Sequence, residues 1–276
     1  MRVQKYVDER GIDIIRNLRL LASDPTTFND PFELSMGIRK QTDNEFINYL
    51  KSEETRGEML KANPQMSEKE VYNYFSEKLE DHEWIKKFNN KKHELDVAHL
   101  KKARTRVGMV TRVICFSINE NTEEDFKSDI LMWSHYTNKH SGLKFHFEES
   151  KFPEDIQGFK VEYRDERPLN TASGEEFLKG LCIVKSSAWG YEKECRWLLT
   201  KEKCDVYDGA NSYINIPPES IVRVDIGINS SDELKKELFS LLQKADLSHV
   251  EVYQAEIHPT LYKIEYKRIN PPFPLL

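Results

Sequence analysis

Residues 41–106 set the strongest constraint on the fold. That stretch holds one proline, Pro64, and one glycine, Gly57, among many charged residues. Apolar side chains recur three and four positions apart, at Val71, Tyr74, Phe75 and Leu79 and again at Trp84, Ile85 and Phe88. This is the spacing that lines one side of an α-helix. Thr42-x-x-Glu45 and Ser67-x-x-Glu70 each read as a capping box, in which hydroxyl and carboxylate satisfy the first free N–H groups of a helix. The flanking segments instead carry strand signals. The contrast predicts a helical insertion over 41–106, or a small subdomain, within one domain spanning 1–276. Its charges read as a solvated face. The lysine-rich stretch Lys86 to Lys102 also contains Glu94 and Asp96, so it makes no clean nucleic-acid patch.

The pattern outside the insertion predicts an α+β fold. Val3–Val7 reads as a strand, Asp8 as the cap of a helix to Asn17, and Leu18–Ala22 as a second strand. Residues 23–33 are dense in turn formers. Further strands are expected at Arg112–Ser117, Gly142–Phe147, Phe159–Tyr163, within Trp189–Thr200, and at Ile221–Ile228, Glu251–Ile257 and Leu261–Ile269. Ser230-x-x-Glu233 reads as a third capping box opening a helix to Lys244, and Pro271-Pro272 ends the pattern. No internal repeat occurs, and no linker is long enough to separate two domains.

Composition excludes several classes. With 276 residues, 38% of them hydrophobic and 11% aromatic, the chain can bury a large core without metals or disulfides. A net charge of −6 spread along the chain does not favour nonspecific nucleic-acid or membrane binding. No apolar run approaches the roughly 20 residues of a membrane span, and Met1–Tyr6 lacks the apolar segment of a signal peptide; a cytoplasmic location is expected. Cys115, Cys182, Cys195 and Cys204 show no CxxC spacing and read as buried, reduced thiols. There is no HExxH, and His135 and His140 do not share a helix face, so no metal is expected. P-loop, GxGxxG and GxSxG motifs are absent.

Three blocks can carry chemistry. In Phe28-Asn29-Asp30-Pro31-Phe32-Glu33, the polar pair either forms a rigid Asx-turn between buried phenylalanines or presents Asn29 or Asp30 to a ligand. In Leu131-Met132-Trp133-Ser134-His135-Tyr136, the apolar members suit one side of a short helix, and His135 is the member packing explains least. The third block runs from Lys185 to Leu199. Read as a strand, it turns Glu192, Glu194 and Arg196 to one face and Tyr191, Cys195, Trp197 and Leu199 to the other. That charged row is either a solvated face with an internal ion pair or a compact site.

The order of these blocks resembles a widespread bacterial family known only as a domain of unknown function. The likeness rests on the early Lys-Tyr strand, Phe-Asn-Asp-Pro-Phe-Glu, Cys-Phe-Ser, Met-Trp-Ser-His-Tyr…Gly and Trp-x-Tyr-Glu-x-Glu-x-Arg, spanning about Gln4 to Ile228. In motif order the chain also resembles, more distantly, the ADP-ribosyltransferases. This second resemblance implies a mixed, mainly antiparallel split sheet with flanking helices, NAD as substrate and a macromolecular acceptor of unknown identity. It implies catalytic roles for Glu194 and Glu192 with Arg196, and nucleotide contacts from Lys5, Tyr6, Asn29, Asp30, Ser117, Trp133, His135 and Tyr136. Lys5, with Arg2 nearby, stands where those enzymes carry an early arginine or histidine, and the Ser-Thr-Ser element is incomplete. A noncatalytic ligand- or partner-binding protein of a bacterial defence or toxin system, and a metal-dependent phosphodiesterase, are the competing expectations.

Overall fold

Two side-chain periods build the molecule, whose computed structural model describes residues 2–118, 122–153, 156, 158–169, 174–209, 211–243 and 245–269. The period of two organises a sheet from β1 (Arg2–Val7), β3 (Thr111–Ser117), β4 (Leu143–Glu148), β5 (Gly158–Lys160), β8 (Glu194–Thr200), β11 (Ile221–Ile226), β12 (Glu251–Ile257) and β13 (Ile264–Ile269). Their order is β13-β12-β11-β4-β1-β3-β8-β5. Neighbours run antiparallel except the parallel pair β11–β12, so the sheet is mixed and mainly antiparallel. Smaller sheets join β2 (Arg19–Ala22), β10 (Asn211–Asn215) and β9 (Val206–Asp208), and separately β6 (Glu162–Arg164) and β7 (Val184–Ser186). Flanking helices are α1 (Asp13–Asn17), α6 (Glu123–Tyr136), α7 (Gly174–Cys182) and α8 (Asp232–Leu242).

Alternation divides the large sheet into an oily and a polar face. Val3, Phe116, Phe145, Phe147, Trp197 and Val224 occupy one face and pack with Ile14 and Ile15 of α1 and Leu234, Leu238 and Leu242 of α8. The registers place Tyr6 opposite Lys144, Gln4 opposite Ser117, Ser117 opposite Glu194 and Cys115 opposite Arg196 on the other. α6 covers part of that polar face, its Met132 and Trp133 packing with Tyr6, Ala255 and Ile264. Because both faces are covered, Lys144 and His146 are buried along with the phenylalanines beside them. Asp129 and Asp225 compensate the Lys144 ammonium at 3.3 and 3.2 Å, and His146 Nε2 lies 2.8 Å from Asp225.

The helical block comprises α2 (Asp43–Lys51), α3 (Glu53–Ala62), α4 (Glu68–Lys78) and the 29-residue α5 (His82–Val110), which returns the chain to β3. Both expected capping boxes close, at Thr42/Glu45 and Ser67/Glu70. Phe46, Leu50, Val71, Phe75 and Ile85 form a cluster of their own.

Several local expectations shift. The third capping box does not form: Ser231 caps α8 through the Leu234 N–H, while Ser230 donates to the carbonyls of Ser141 and Gly142 at 2.9 and 3.0 Å. Tertiary hydrogen bonds claim Ser230, so the helix starts one residue later. Lys244 and Pro271-Pro272 lie outside the described residues. A capping box absent from the sequence reading closes at Thr122/Asp125 and opens α6. Asp8 caps a 3₁₀ turn, Glu9–Ile12, before α1 begins. Phe159–Tyr163 breaks into β5 and β6, which belong to different sheets, with Val161 buried between them.

The sheet is split beside β1. β1 and β3 share a single register pair, Gln4 with Ser117. Beyond it the edge of β3 is taken by Ser23, which exchanges two 2.9 Å backbone hydrogen bonds with Val113. Lys5 Nζ reaches across the resulting wedge to the Cys115 carbonyl at 2.9 Å, supplying a donor the departing strand no longer provides.

Candidate functional site

A cavity of about 210 Å³ opens at this split. Gln4, Lys5 and Tyr6 from β1 and Cys115, Phe116 and Ser117 from β3 form two walls. The loop after β2 brings Phe28, Asn29 and Glu33, α6 brings Met132 and Tyr136, and the third block brings Lys185, Glu192, Glu194 and Arg196.

The third block is not one continuous strand. Ser187–Glu192 is a 3₁₀ turn, closed by Lys193 at φ 45°, and β8 begins at Glu194. Glu192 therefore joins Glu194 and Arg196 through a turn rather than by alternation. Tyr191 is not on the oily face with Cys195, Trp197 and Leu199; it packs in the cluster around Trp133. The turn is tied down by Ser117, whose hydroxyl donates to the Glu192 carbonyl.

Three carboxylates share two cations here. Lys185 Nζ lies 2.9 Å from Glu33, 2.6 Å from Glu192 and 3.4 Å from Glu194. Arg196 grips Glu194 with two hydrogen bonds, Nε to Oε1 at 2.9 Å and Nη2 to Oε2 at 2.8 Å. It also reaches Glu33 at 3.0 Å and the Cys182 carbonyl at 2.8 Å. Tyr136 donates its hydroxyl to Glu192 Oε1 at 2.5 Å, and the Glu194 N–H donates to Tyr163 Oη at 2.8 Å. All five charged groups are buried. In so dry a setting an ion lacking its partner costs several kcal/mol.

Environment separates the two glutamates of the Glu-x-Glu pair. Burial raises the Glu192 carboxyl above its ordinary range, because Lys185 is divided among three carboxylates and does not offset the desolvation. Burial also opposes ionisation of Glu194, but the Arg196 charge and hydrogen bonds, with Lys185, hold its carboxyl below the ordinary range. At neutral pH Glu194 is a fixed carboxylate and Glu192 the more readily protonated group. Burial lowers Lys5, with Cys115 and Glu194 opposing. The Cys115 thiol is pushed well up, by burial first and Glu194 second, so it is no thiolate nucleophile.

The structure brings Lys5, Tyr6, Asn29, Ser117, Tyr136, Glu192, Glu194 and Arg196 to one cavity. Three expected members stand elsewhere. Trp133 is fully buried beneath Tyr6, edge-on at 5.8 Å, and donates its indole N–H to Tyr266 at 2.8 Å. It is a core residue, because its side of α6 faces the sheet. His135 projects outward, with Nδ1 3.0 Å from the Tyr191 hydroxyl. Asp30 accepts the Phe32 N–H at 2.8 Å, the expected Asx-turn, but Phe32 is exposed rather than buried as expected, and Asp30 lines a second cavity. Sequence reasoning missed Glu33 and Lys185, which close and open two of the quoted blocks. The only signal available for either was its place at the end of a polar-aromatic block.

Among the described residues, no group of three or more His, Cys, Asp or Glu side chains is arranged to hold a metal ion, and no helix is long and apolar enough to cross a membrane. No family model, curated protein or solved structure matches the chain.

Proposed function

We propose that the protein cleaves the nicotinamide–ribose bond of NAD and transfers ADP-ribose to an acceptor. The reading is carried by one observation: Glu192 and Glu194 face inward on a cavity at the split of the sheet, held there by Lys185 and Arg196 and met by Tyr136. A cavity of about 210 Å³ falls below the roughly 300–1,000 Å³ of a drug-sized ligand site. It therefore suits the reacting end of a dinucleotide, with the remainder outside.

As the glycosidic C–N bond breaks, nicotinamide leaves with the electron pair and positive charge develops on the ribose. The ionised Glu194 stabilises that charge through a ribose hydroxyl; one preorganised contact of this kind contributes on the order of 3–4 kcal/mol. The acceptor's nucleophilic atom then bonds to the ribose carbon and yields its proton to Glu192, whose raised carboxyl suits a general base. The Tyr136 ring and Asn29 bound the ligand. Lys5 offers an ammonium for phosphate or ribose oxygens, and Ser117 acts by fixing the Glu192 turn.

The test is incubation of the purified protein with labelled NAD and candidate acceptors, beside Glu194→Gln. Transfer, or NAD hydrolysis in the acceptor's absence, should fall about 10²–10³-fold in the variant, while NAD-dependent thermal stabilisation survives. No turnover and no NAD-dependent stabilisation of the native chain would remove the reading.

A further inference from the structure

The C-terminal end of α5, the Pro25–Thr27 turn and Lys201 border a cleft of about 680 Å³ that shares no lining residue with the first cavity. Arg112 leaves β3 with the parity of Phe116, opposite to Cys115 and Ser117, so its guanidinium points away from that cavity. Lys101, Arg104 and Gly108 stand at positions i, i+3 and i+7 of α5, on one face of the helix. Gly108 lets the turn lie against that face: a Cβ there would fall 2.3 Å from Thr26 Cγ2. The β3–β8 register, with Thr111 opposite Thr200, brings Lys201 to the same end.

The charge of the cleft is one-sided. Lys101, Arg104, Arg112 and Lys201 line it against a single carboxylate, Asp24. Among the described residues, none of these four cations has a carboxylate within 4.0 Å. Asp24 Oδ1 accepts instead from the Thr26 N–H and hydroxyl, at 2.8 and 2.7 Å. Arg112 is the decisive member. It is 5% exposed, and a guanidinium so buried ordinarily has a carboxylate partner. Here it meets neutral acceptors only: Nε donates to Ser212 Oγ at 3.1 Å, and Nη1 to the Gly108 and Thr111 carbonyls at 2.7 Å each. The C-terminal dipole of α5 offsets about half an elementary charge. Nη2 makes no hydrogen bond and, unlike the sealed Nε of Arg19, stays open to water. A buried cation thus keeps a free donor nitrogen, with three more cations around it. We propose that this cleft binds a pyrophosphate-bearing ligand, its oxygens meeting Arg112 Nη2 and the Arg104 fork while Lys101 and Lys201 neutralise the remaining charge. Two linked phosphates span separated cations as a single carboxylate does not. The volume lies within the roughly 300–1,000 Å³ of small-molecule sites. Met109, 64% exposed in the lining, offers an apolar contact to an attached nucleoside. The assignment uses no residue of the first cavity, so it holds whatever reaction occurs there.

The experiment is calorimetric titration of the full chain with pyrophosphate, ADP and adenosine. The first two carry the linked phosphates, free or nucleoside-bound, and adenosine lacks them. At least one of the two should bind at least about tenfold more tightly than adenosine, through charge-assisted hydrogen bonds that adenosine cannot make. The tighter one names the source. Arg112→Lys keeps the charge but gives up the guanidinium nitrogens, and should weaken that binding at least about tenfold. Arg104→Gln, at a half-buried position on α5, gives the same readout should Arg112→Lys not fold. Lys102→Gln removes an exposed charge of α5 outside the cleft and should leave affinity within about twofold. The proposal is overturned by no binding of pyrophosphate or ADP tighter than about 1 mM, or by adenosine matching the tighter of them. Unchanged affinity in Arg104→Gln, or a loss in Lys102→Gln equal to that in Arg104→Gln, overturns it as well.

Discussion

Replacing Lys185 with methionine removes one charge at nearly constant volume from the centre of the buried network. Lys185 stands 2.6 Å from Glu192, 2.9 Å from Glu33 and 3.4 Å from Glu194. The three carboxylates are not equally dependent on it. Glu194 keeps two hydrogen bonds from Arg196, and Glu33 keeps one at 3.0 Å. Glu192 is left with the Tyr136 hydroxyl alone among the contacts described above, so the uncompensated charge falls mainly there. Orphaning one partner of a buried ion pair costs about 3–5 kcal/mol. At about 2–4 °C per kcal/mol, the melting temperature should drop by about 6–20 °C. The loss should be largest at pH 7.5 and shrink toward pH 5, because protonating Glu192 removes the uncompensated charge. Urea unfolding at both pH values, followed through the buried Trp133 and Trp197, measures it. A loss below about 1 kcal/mol, or one that does not diminish on acidification, would refute the view that Lys185 compensates buried carboxylates.

Two further outcomes follow from the same geometry. If Glu192 is the base, the acid limb of any NAD-dependent activity should lie above the ordinary glutamate range, since burial raises its carboxyl. Activity is lost as pH falls through that raised value, and a pH–rate profile beside Glu192→Gln, which should lose the limb, checks it. Gly142→Ala should destabilise the fold by about 1–3 kcal/mol or more, because the added Cβ would lie 1.9 Å from the Val7 carbonyl oxygen and 2.8 Å from Asp8 Cα. Those are backbone atoms where β1 pairs with β4 and have no rotamer to yield; an unchanged urea midpoint would count against the close approach.

The helical block and most strands were legible because their signals are local. Thr42 and Ser67 cap as expected, since a capping box needs only residues three apart. Ser230 does not, because the Ser141 and Gly142 carbonyls reach it from a distant part of the chain. The polar blocks likewise contained the cavity's main residues, but their roles were not readable. Met132 and Trp133 are adjacent in sequence, yet Met132 lines the cavity and Trp133 lies in the core beneath it.

By itself the amino-acid order determined the periods: a helical stretch between β-patterned ones, the caps that start helices, and the side chains able to carry charge. Those follow from steric and hydrogen-bonding preferences over a few residues. Tertiary structure alone decided that β1 parts from β3 after one register pair, that Glu33 and Lys185 close the charge network, and that Glu192 and Glu194 differ in their hold on a proton. The approach of segments more than a hundred residues apart sets the first two, and desolvation inside the resulting site sets the third; neither is encoded in local spacing.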